Sequence, residues 1–223
     1  MGSSPAERLR QSWEANADAW TQAVRDAAIP SRRAGTDTAA VEATLMRLPP
    51  GGRVLDVGCG EGWLSRALTA RGAAVHGVDG SAGLIEAARE AGGSFDVVSY
   101  ANAEADPARL GGPFDAAVFN FALLDESVTG VLRAAASRLD VGGRVILQTV
   151  HPVTVEPPYI DGWRRESFAG IAGGFEPMPW YFRTLASWVR ALEAAGLRVA
   201  EIVEPAAPGT GRPLSLILIA EPH

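Results

Sequence analysis

Val54-Leu55-Asp56-Val57-Gly58-Cys59-Gly60-Glu61-Gly62-Trp63-Leu64 passes from an apolar run of strand type, through a glycine-rich turn, into a helical pattern. Three glycines alternate at Gly58, Gly60 and Gly62, so the backbone can take positive φ and a ligand can approach main-chain N–H groups without meeting a Cβ. The GxGxG spacing departs from the GxGxxG fingerprint of dinucleotide sites. Asp56, two residues before the first glycine, would repel a pyrophosphate and attract a cation. Asp79 lies seventeen residues beyond Gly62, at the end of a second apolar run, 73–78. An acid at that place, beside the first strand, can accept both hydroxyls of a ribose. The turn suits a charged, adenosine-containing ligand.

Composition narrows the classes around this turn. At 223 residues with 47% hydrophobic content, the chain suits one domain with a substantial core and a small cap. The net charge of −6, from 26 acids and 20 bases, argues against nucleic acid or an anionic membrane surface as partner and for a small molecule. Every basic side chain is arginine, which removes Schiff-base chemistry, a pyridoxal-phosphate anchor and a lysine phosphate loop. Cys59 is the single cysteine, so no intramolecular disulfide and no cysteine metal cluster can form, and no other spacing suggests a metal. The opening MGSSPAERLRQSW carries no apolar signal core, and no run approaches the roughly 20 apolar residues of a bilayer span. These features point to a cytoplasmic monomer or homodimer.

Working outward, Leu9, Trp13, Ala17, Trp20 and Val24 recur at helical spacing over 6–28, and a second helix covers 36–48. The two tryptophans either pack the first helix on the domain or close it over a pocket. Helix 62–71, strand 74–78 and helix 82–91, capped by Ser81, follow the turn. Strands are expected at 95–99, 114–120 and 144–149, with a helix at 125–139. The stretch 151–183 is irregular and rich in aromatics, which suits a lid or pocket wall as well as a small aromatic core. A helix at 184–195 and strands at 198–203 and 214–220 complete an α/β chain whose last two strands are close enough for an antiparallel hairpin.

VLDVGCGEGWLSRAL (54–68) with VHGVDGS (75–81) resembles motif I and the ribose-binding acid of class I S-adenosylmethionine-dependent methyltransferases. Stretches 13–33, 139–149, 151–170 and 177–197 extend the resemblance over about 13–220. It implies a Rossmann-like, seven-stranded, mostly parallel sheet of order 3-2-1-4-5-7-6, with strand 7 antiparallel and helices on both faces. An N-terminal cap (1–50) would precede the methyltransferase domain (51–223), with a lid at 151–183. The implied cofactor is S-adenosylmethionine, its product S-adenosylhomocysteine. Its contacts would come from Asp56, Gly58, Gly60, Gly62, Trp63, Asp79, Gly80, Ala101, Asn102, Asn120, Phe121 and Arg33.

A small organic acceptor, methylated on O or N, would meet Trp20, Tyr159, Trp163, Glu166, Trp180, Tyr181 and Arg183, with Asn16 and Arg32 as further pocket residues. His151, directly after the fifth strand, is either the base that takes the acceptor's proton or a loop anchor. An NAD(P)-dependent oxidoreductase, and a methyltransferase-fold protein that catalyses another reaction or none, are the alternatives.

Overall fold

The structure is a computed structural model that describes residues 3–31 and 35–223. The strands are β1 (Arg53–Val57), β2 (Ala74–Asp79), β3 (Ser94–Val97), β4 (Phe114–Asn120), β5 (Leu139–Thr149), β6 (Gly162–Glu166), β7 (Met178–Phe182), β8 (Leu197–Val203) and β9 (Leu216–Pro222). Among the described residues β6 and β7 form a separate hairpin, and the other seven make one sheet of order β3-β2-β1-β4-β5-β9-β8. With the hairpin counted apart, this is the expected 3-2-1-4-5-7-6. β1 to β5 pair in parallel, and β9 runs antiparallel to both β5 and β8.

The sheet is buried on both faces because its strands alternate between two apolar sets. Leu55, Val57, Ala117, Phe119, Val145, Leu147 and Leu218 pack against α5 (Tyr100–Ala105), α6 (Thr129–Ala136) and α7 (Leu185–Ala194). Val54, Ala116, Val118, Ile146, Ile217 and Ile219 pack against α2 (Asp37–Leu45) and α3 (Trp63–Thr69). Asp56, Asn120 and Gln148 continue the second parity at the carboxyl ends of β1, β4 and β5, where open parallel sheets bind ligands. Ile85 and Ala88 of α4 (Ala82–Glu90) join Cys59 and Phe95 in a third cluster.

α1 (Pro5–Arg25) starts at Ser4, whose hydroxyl accepts the Glu7 N–H, and it buries Leu9 and Ala17. Asn16 is buried and pairs with Glu176 both ways, its Nδ2 donating to the carbonyl (2.9 Å) and its Oδ1 accepting the N–H (2.8 Å). Glu14 Oε1 accepts the Ala82 N–H at 2.9 Å, fastening α1 to the start of α4. No helix among the described residues is long and apolar enough to cross a membrane.

Three expectations need correction. The strand expected at 95–99 runs from Ser94 to Val97, and a helix follows it directly, because Ser99 Oγ accepts the Asn102 N–H (3.1 Å) and caps α5. α6 begins at Thr129 instead of 125, since the chain from Phe121 to Leu124 is tied to neighbours: Phe121 N–H donates to Gln148 O, and Tyr181 N–H to Leu124 O, each at 2.8 Å. The stretch 151–183 contains the hairpin β6–β7, with Trp163 opposite Tyr181 and their rings edge-on at 5.5 Å. Aromatic cross-strand pairs of this kind stabilise a hairpin.

Candidate active site

The turn after β1 is pinned from several sides. Gly58 and Cys59 N–H groups both donate to Val78 O, at 2.7 and 3.1 Å. Gly58, Gly60 and Gly62 have φ of +73°, +57° and +83°, which L side chains rarely adopt. Their surroundings differ. A Cβ on Gly58 would stand 2.5 Å from Ala122 Cβ and 2.9 Å from the Tyr100 hydroxyl, and one on Gly62 would stand 2.5 Å from the Phe95 ring. A Cβ on Gly60 would meet only Trp20 Nε1, at 3.9 Å. Gly58 and Gly62 are therefore demanded by packing, whereas Gly60 borders open space roofed by a tryptophan of α1.

Asp79 closes the other side of that space. Its Oδ2 accepts the Gly60 N–H (3.0 Å) and its Oδ1 the Ser81 N–H (2.8 Å). The Gly80 backbone also contributes, and since an ionised carboxylate offers about four acceptor positions, part of its capacity remains. Burial raises its pKa against the pull of these bonds, and Glu14 adds to the rise. Gly80 beside it is exposed, with Ser99 3.6 Å from where a Cβ would be.

Asp56 is 1% exposed and accepts the Ser65 hydroxyl at 2.7 Å. Burial, with a smaller contribution from Asp79, pushes its pKa up to about 7 from 3.8. A carboxyl with a folded pKa above its unfolded one keeps its proton natively where the unfolded chain has lost it. Its contribution to stability therefore falls as pH rises from about 4 to about 7 and is level beyond. Urea unfolding from about pH 5 to about pH 8 is expected to show stability declining more in the wild type than in Asp56→Asn, and equal slopes would remove Asp56 as the cause. Burial, followed by Asp56 and Asp79, also holds the Cys59 thiol well above its ordinary pKa, which marks it as a packing residue.

β4 delivers Asn120 and Phe121. Asn120 Oδ1 is buried with no protein partner among the described residues. Phe121 has φ +52°, a strained conformation for an aromatic residue that costs about 1–3 kcal/mol. It turns the chain so that Ala122 reaches Gly58, and Tyr100 locks that approach by donating its hydroxyl to Ala122 O at 3.0 Å. Ala101 and Asn102 are exposed in the first turn of α5, with Asn102 Oδ1 accepting the Ser99 hydroxyl. Trp63 heads α3 and packs with the apolar cluster under α2 and α3. Arg33, with Arg32, lies outside the described residues.

Of the aromatic candidates, Trp20 is the one brought to the turn. It also meets Trp13, Phe168 and Phe175 at ring distances of 5.5, 6.4 and 6.5 Å, joining α1 to the lid. Trp163 Nε1 donates to Glu126 Oε2 at 3.4 Å, at the edge of the segment following β4. Arg183 is 5% exposed, stacked on Tyr181 and Trp188, and donates to Glu126 O at 2.5 Å. Burial lowers its pKa. The rest serve the lid's own structure. Tyr159 is exposed and accepts the Leu185 N–H, Glu166 accepts the Phe168 N–H, and Trp180 packs edge-on to Phe182.

His151 is buried with both ring nitrogens engaged. Nε2 meets Glu204 Oε1 at 2.7 Å, and Nδ1 accepts the Val153 N–H at 3.3 Å. That pattern fixes the tautomer with its proton toward Glu204 and leaves no free nitrogen for an acceptor. The geometry favours the anchoring role over the base. His151→Ala is expected to cost about 1 kcal/mol of stability with cofactor affinity unchanged, as read by melting curves and calorimetry.

Tyr100, Phe95, Ala122, Glu14 and Glu61 belong to the site and are not among the residues expected from sequence. Phe95 underlies Gly62, Gly77 and Gly93 at once, each with a Cβ position 2.5 Å from its ring. Those glycines carried the signal, without naming their partner.

The sequence pattern of a methyltransferase-domain family matches residues 31–202. The chain is 39% identical over 111 residues to the ubiquinone biosynthesis O-methyltransferase of Xanthomonas axonopodis pv. citri, covering 46% of this chain and 45% of that protein. It is 39% identical over 107 residues to the protein of the same name from Ralstonia nicotianae, covering 45% and 44%. The matches thus span less than half the length of these curated relatives. Among solved structures, magnesium protoporphyrin IX methyltransferase from Synechocystis PCC 6803, with bound S-adenosylmethionine, superposes with a TM-score of 0.67 at 20% identity, over 100% of this chain and 99% of that one. An S-adenosylmethionine-dependent methyltransferase from Mesorhizobium loti gives 0.60 at 23% identity, over 83% and 97%. Likeness at such identity speaks for the fold. Joined to the family pattern over most of the sequence and to the glycine turn facing Asp79, it makes the chain a member of the class I S-adenosylmethionine-dependent methyltransferase family.

Proposed function

We propose that the enzyme transfers a methyl group from S-adenosylmethionine to an O or N atom of a small organic acceptor, leaving S-adenosylhomocysteine, and that it works in the cytoplasm. Oxygen is favoured because the curated relatives are O-methyltransferases. The observation that carries the reading is Asp79: it holds the Gly60 N–H and the Ser81 N–H and keeps acceptor capacity beside the open space over Gly60. These residues fit the cofactor. Asp79 would take the ribose hydroxyls, and Gly58, Gly60, Gly62 and Gly80 would let its backbone-facing side approach. Glu14 would lend negative potential for a sulfonium, and Asp56 would add to it in its ionised form, above its raised pKa of about 7. Ala101 and Asn102 would border the adenine, and Asn120 Oδ1 and Phe121 would face the donor's far end.

When bound, the cofactor supplies a methyl group made electrophilic by the sulfonium. The protein's work is then positioning and exclusion of water. The N-terminal region (1–50), through α1, and the segment 151–183 serve as the cover: Trp20 roofs the turn, while Trp163, Tyr181 and Arg183 shape the side next to β4. With His151 engaged by Glu204, an acceptor would arrive ionised or lose its proton to another group.

Calorimetry with S-adenosylmethionine, S-adenosylhomocysteine and NAD tests the reading, and preference for NAD would sink it in favour of an oxidoreductase. Mass spectrometry of a panel of phenols, catechols and amines is expected to show one methyl added with stoichiometric S-adenosylhomocysteine. Methylation confined to amines would overturn the preference for oxygen.

A further inference from the structure

Glu61, between Gly60 and Gly62, is an acid that the proposed chemistry does not use. Its side chain is 0% exposed, and Oε1 has no partner among the described residues. Arg66 of α3 grips it twice: Nη2 bonds Oε2 at 2.5 Å and Nη1 bonds the main-chain carbonyl at 2.6 Å. One planar guanidinium thus holds both side chain and backbone at the middle of the turn. A second approaches from another helix. Arg25, in the last turn of α1, stands with Nε 3.9 Å from Glu61 Oε2, while its Nη2 donates to Ala87 O of α4 at 3.1 Å. Its side chain is 43% exposed, so it has room to move.

A carboxylate removed from water with one bare oxygen is unfavourable unless a further donor reaches it. Arg25 is the second guanidinium at this carboxylate, so far only at the Oε2 that Arg66 already holds, and a small shift would let it serve the group more fully; it is rooted in the helix whose Trp20 lies over Gly60. We propose that Glu61, Arg66 and Arg25 are positioning residues that couple the glycine turn to α1. Arg66 sets the turn through Glu61, and a filled turn draws α1 inward until Arg25 completes the ion pair. The inference rests on the cofactor reading above and adds to it a linkage between cofactor occupancy and closure of the leading helix.

The whole chain is compared with Arg25→Ala, Arg25→Lys, Glu61→Gln and the Arg25→Ala/Glu61→Gln double variant. S-adenosylmethionine binding is followed by calorimetry and α1 amide protection by hydrogen exchange. Arg25→Ala is expected to weaken binding about fivefold or more. It should also lose the cofactor-dependent protection of α1 while the cofactor-free protein melts nearly as the wild type does, because a half-exposed 3.9 Å pair adds little stability. Arg25→Lys should recover part of the affinity. The double variant should bind no more weakly than Glu61→Gln alone, since Arg25 acts through Glu61. Wild-type affinity and protection in Arg25→Ala, or losses that simply add in the double variant, would overturn the coupling. Failure of the unmodified protein to bind S-adenosylmethionine would overturn the functional reading and this inference with it.

Discussion

Replacing Gly58 by alanine is expected to destabilise the protein by about 2–5 kcal/mol and to abolish measurable cofactor binding. Two costs add. A left-handed conformation costs an L-residue roughly 1–2 kcal/mol, and overfilling a packed site typically costs about 1–3 kcal/mol. The new methyl would stand 2.5 Å from Ala122 Cβ and 2.9 Å from the Tyr100 hydroxyl. Relief would require the segment after β4 to lift, breaking the Tyr100 to Ala122 bond. Gly60→Ala is the control. Its φ of +57° carries the same backbone cost, but its Cβ would meet only Trp20 Nε1 at 3.9 Å. Its stability loss should stay near 1–2 kcal/mol while cofactor affinity falls at least tenfold, because the methyl would occupy the ligand's space. Thermal melts and calorimetry on both variants decide the matter. A Gly60→Ala protein that binds like the wild type would mean that the open space is not the cofactor's.

The contrast between these glycines also shows what a sequence can disclose. The strand, the turn and Asp79 were legible because each is a local pattern: alternating glycines, a short apolar run, an acid at a strand end. The sheet order followed from the family resemblance and was met by the strand pairing. What stayed hidden depends on residues far apart in the chain. Phe95 accounts for Gly62 and Gly77 only once β2 and β3 are paired. Glu204, which engages His151, lies 53 residues away in a turn-rich connector. The hairpin was unreadable for another reason. Arg164-Arg165 interrupts its apolar pattern, and only the register of Trp163 on Tyr181 reveals two strands. Asn16 became a pocket candidate through the family resemblance of 13–33, and what that resemblance could not convey is that its side-chain amide bonds the backbone of Glu176, 160 residues away.

Asp79→Ala is expected to weaken S-adenosylmethionine binding by about 1.5–3 kcal/mol, the range for hydrogen bonds to a charged group, or roughly ten- to 150-fold. The loss has two sources that a second variant separates. Asp79 faces the open space with its remaining acceptor positions, and it also orients the Gly60 N–H from behind. Asp79→Asn keeps one oxygen to accept a bond but gives up the charge and puts an amide where an acceptor stood. If the ribose hydroxyls are the main partners, Asp79→Asn should fall most of the way to alanine, because two neighbouring hydroxyls need two acceptors. If the carboxylate acts mainly by holding Gly60, asparagine should retain most of the affinity, since a single oxygen serves that bond. The pH dependence has a definite sign. Burial raises the Asp79 pKa, so acidification protonates it earlier than an exposed carboxylate, and affinity should decline as pH falls through that raised value. The decline should be missing from Asp79→Ala. Calorimetry across that range with both variants reads all three outcomes, and an alanine variant with wild-type affinity would move the ribose elsewhere.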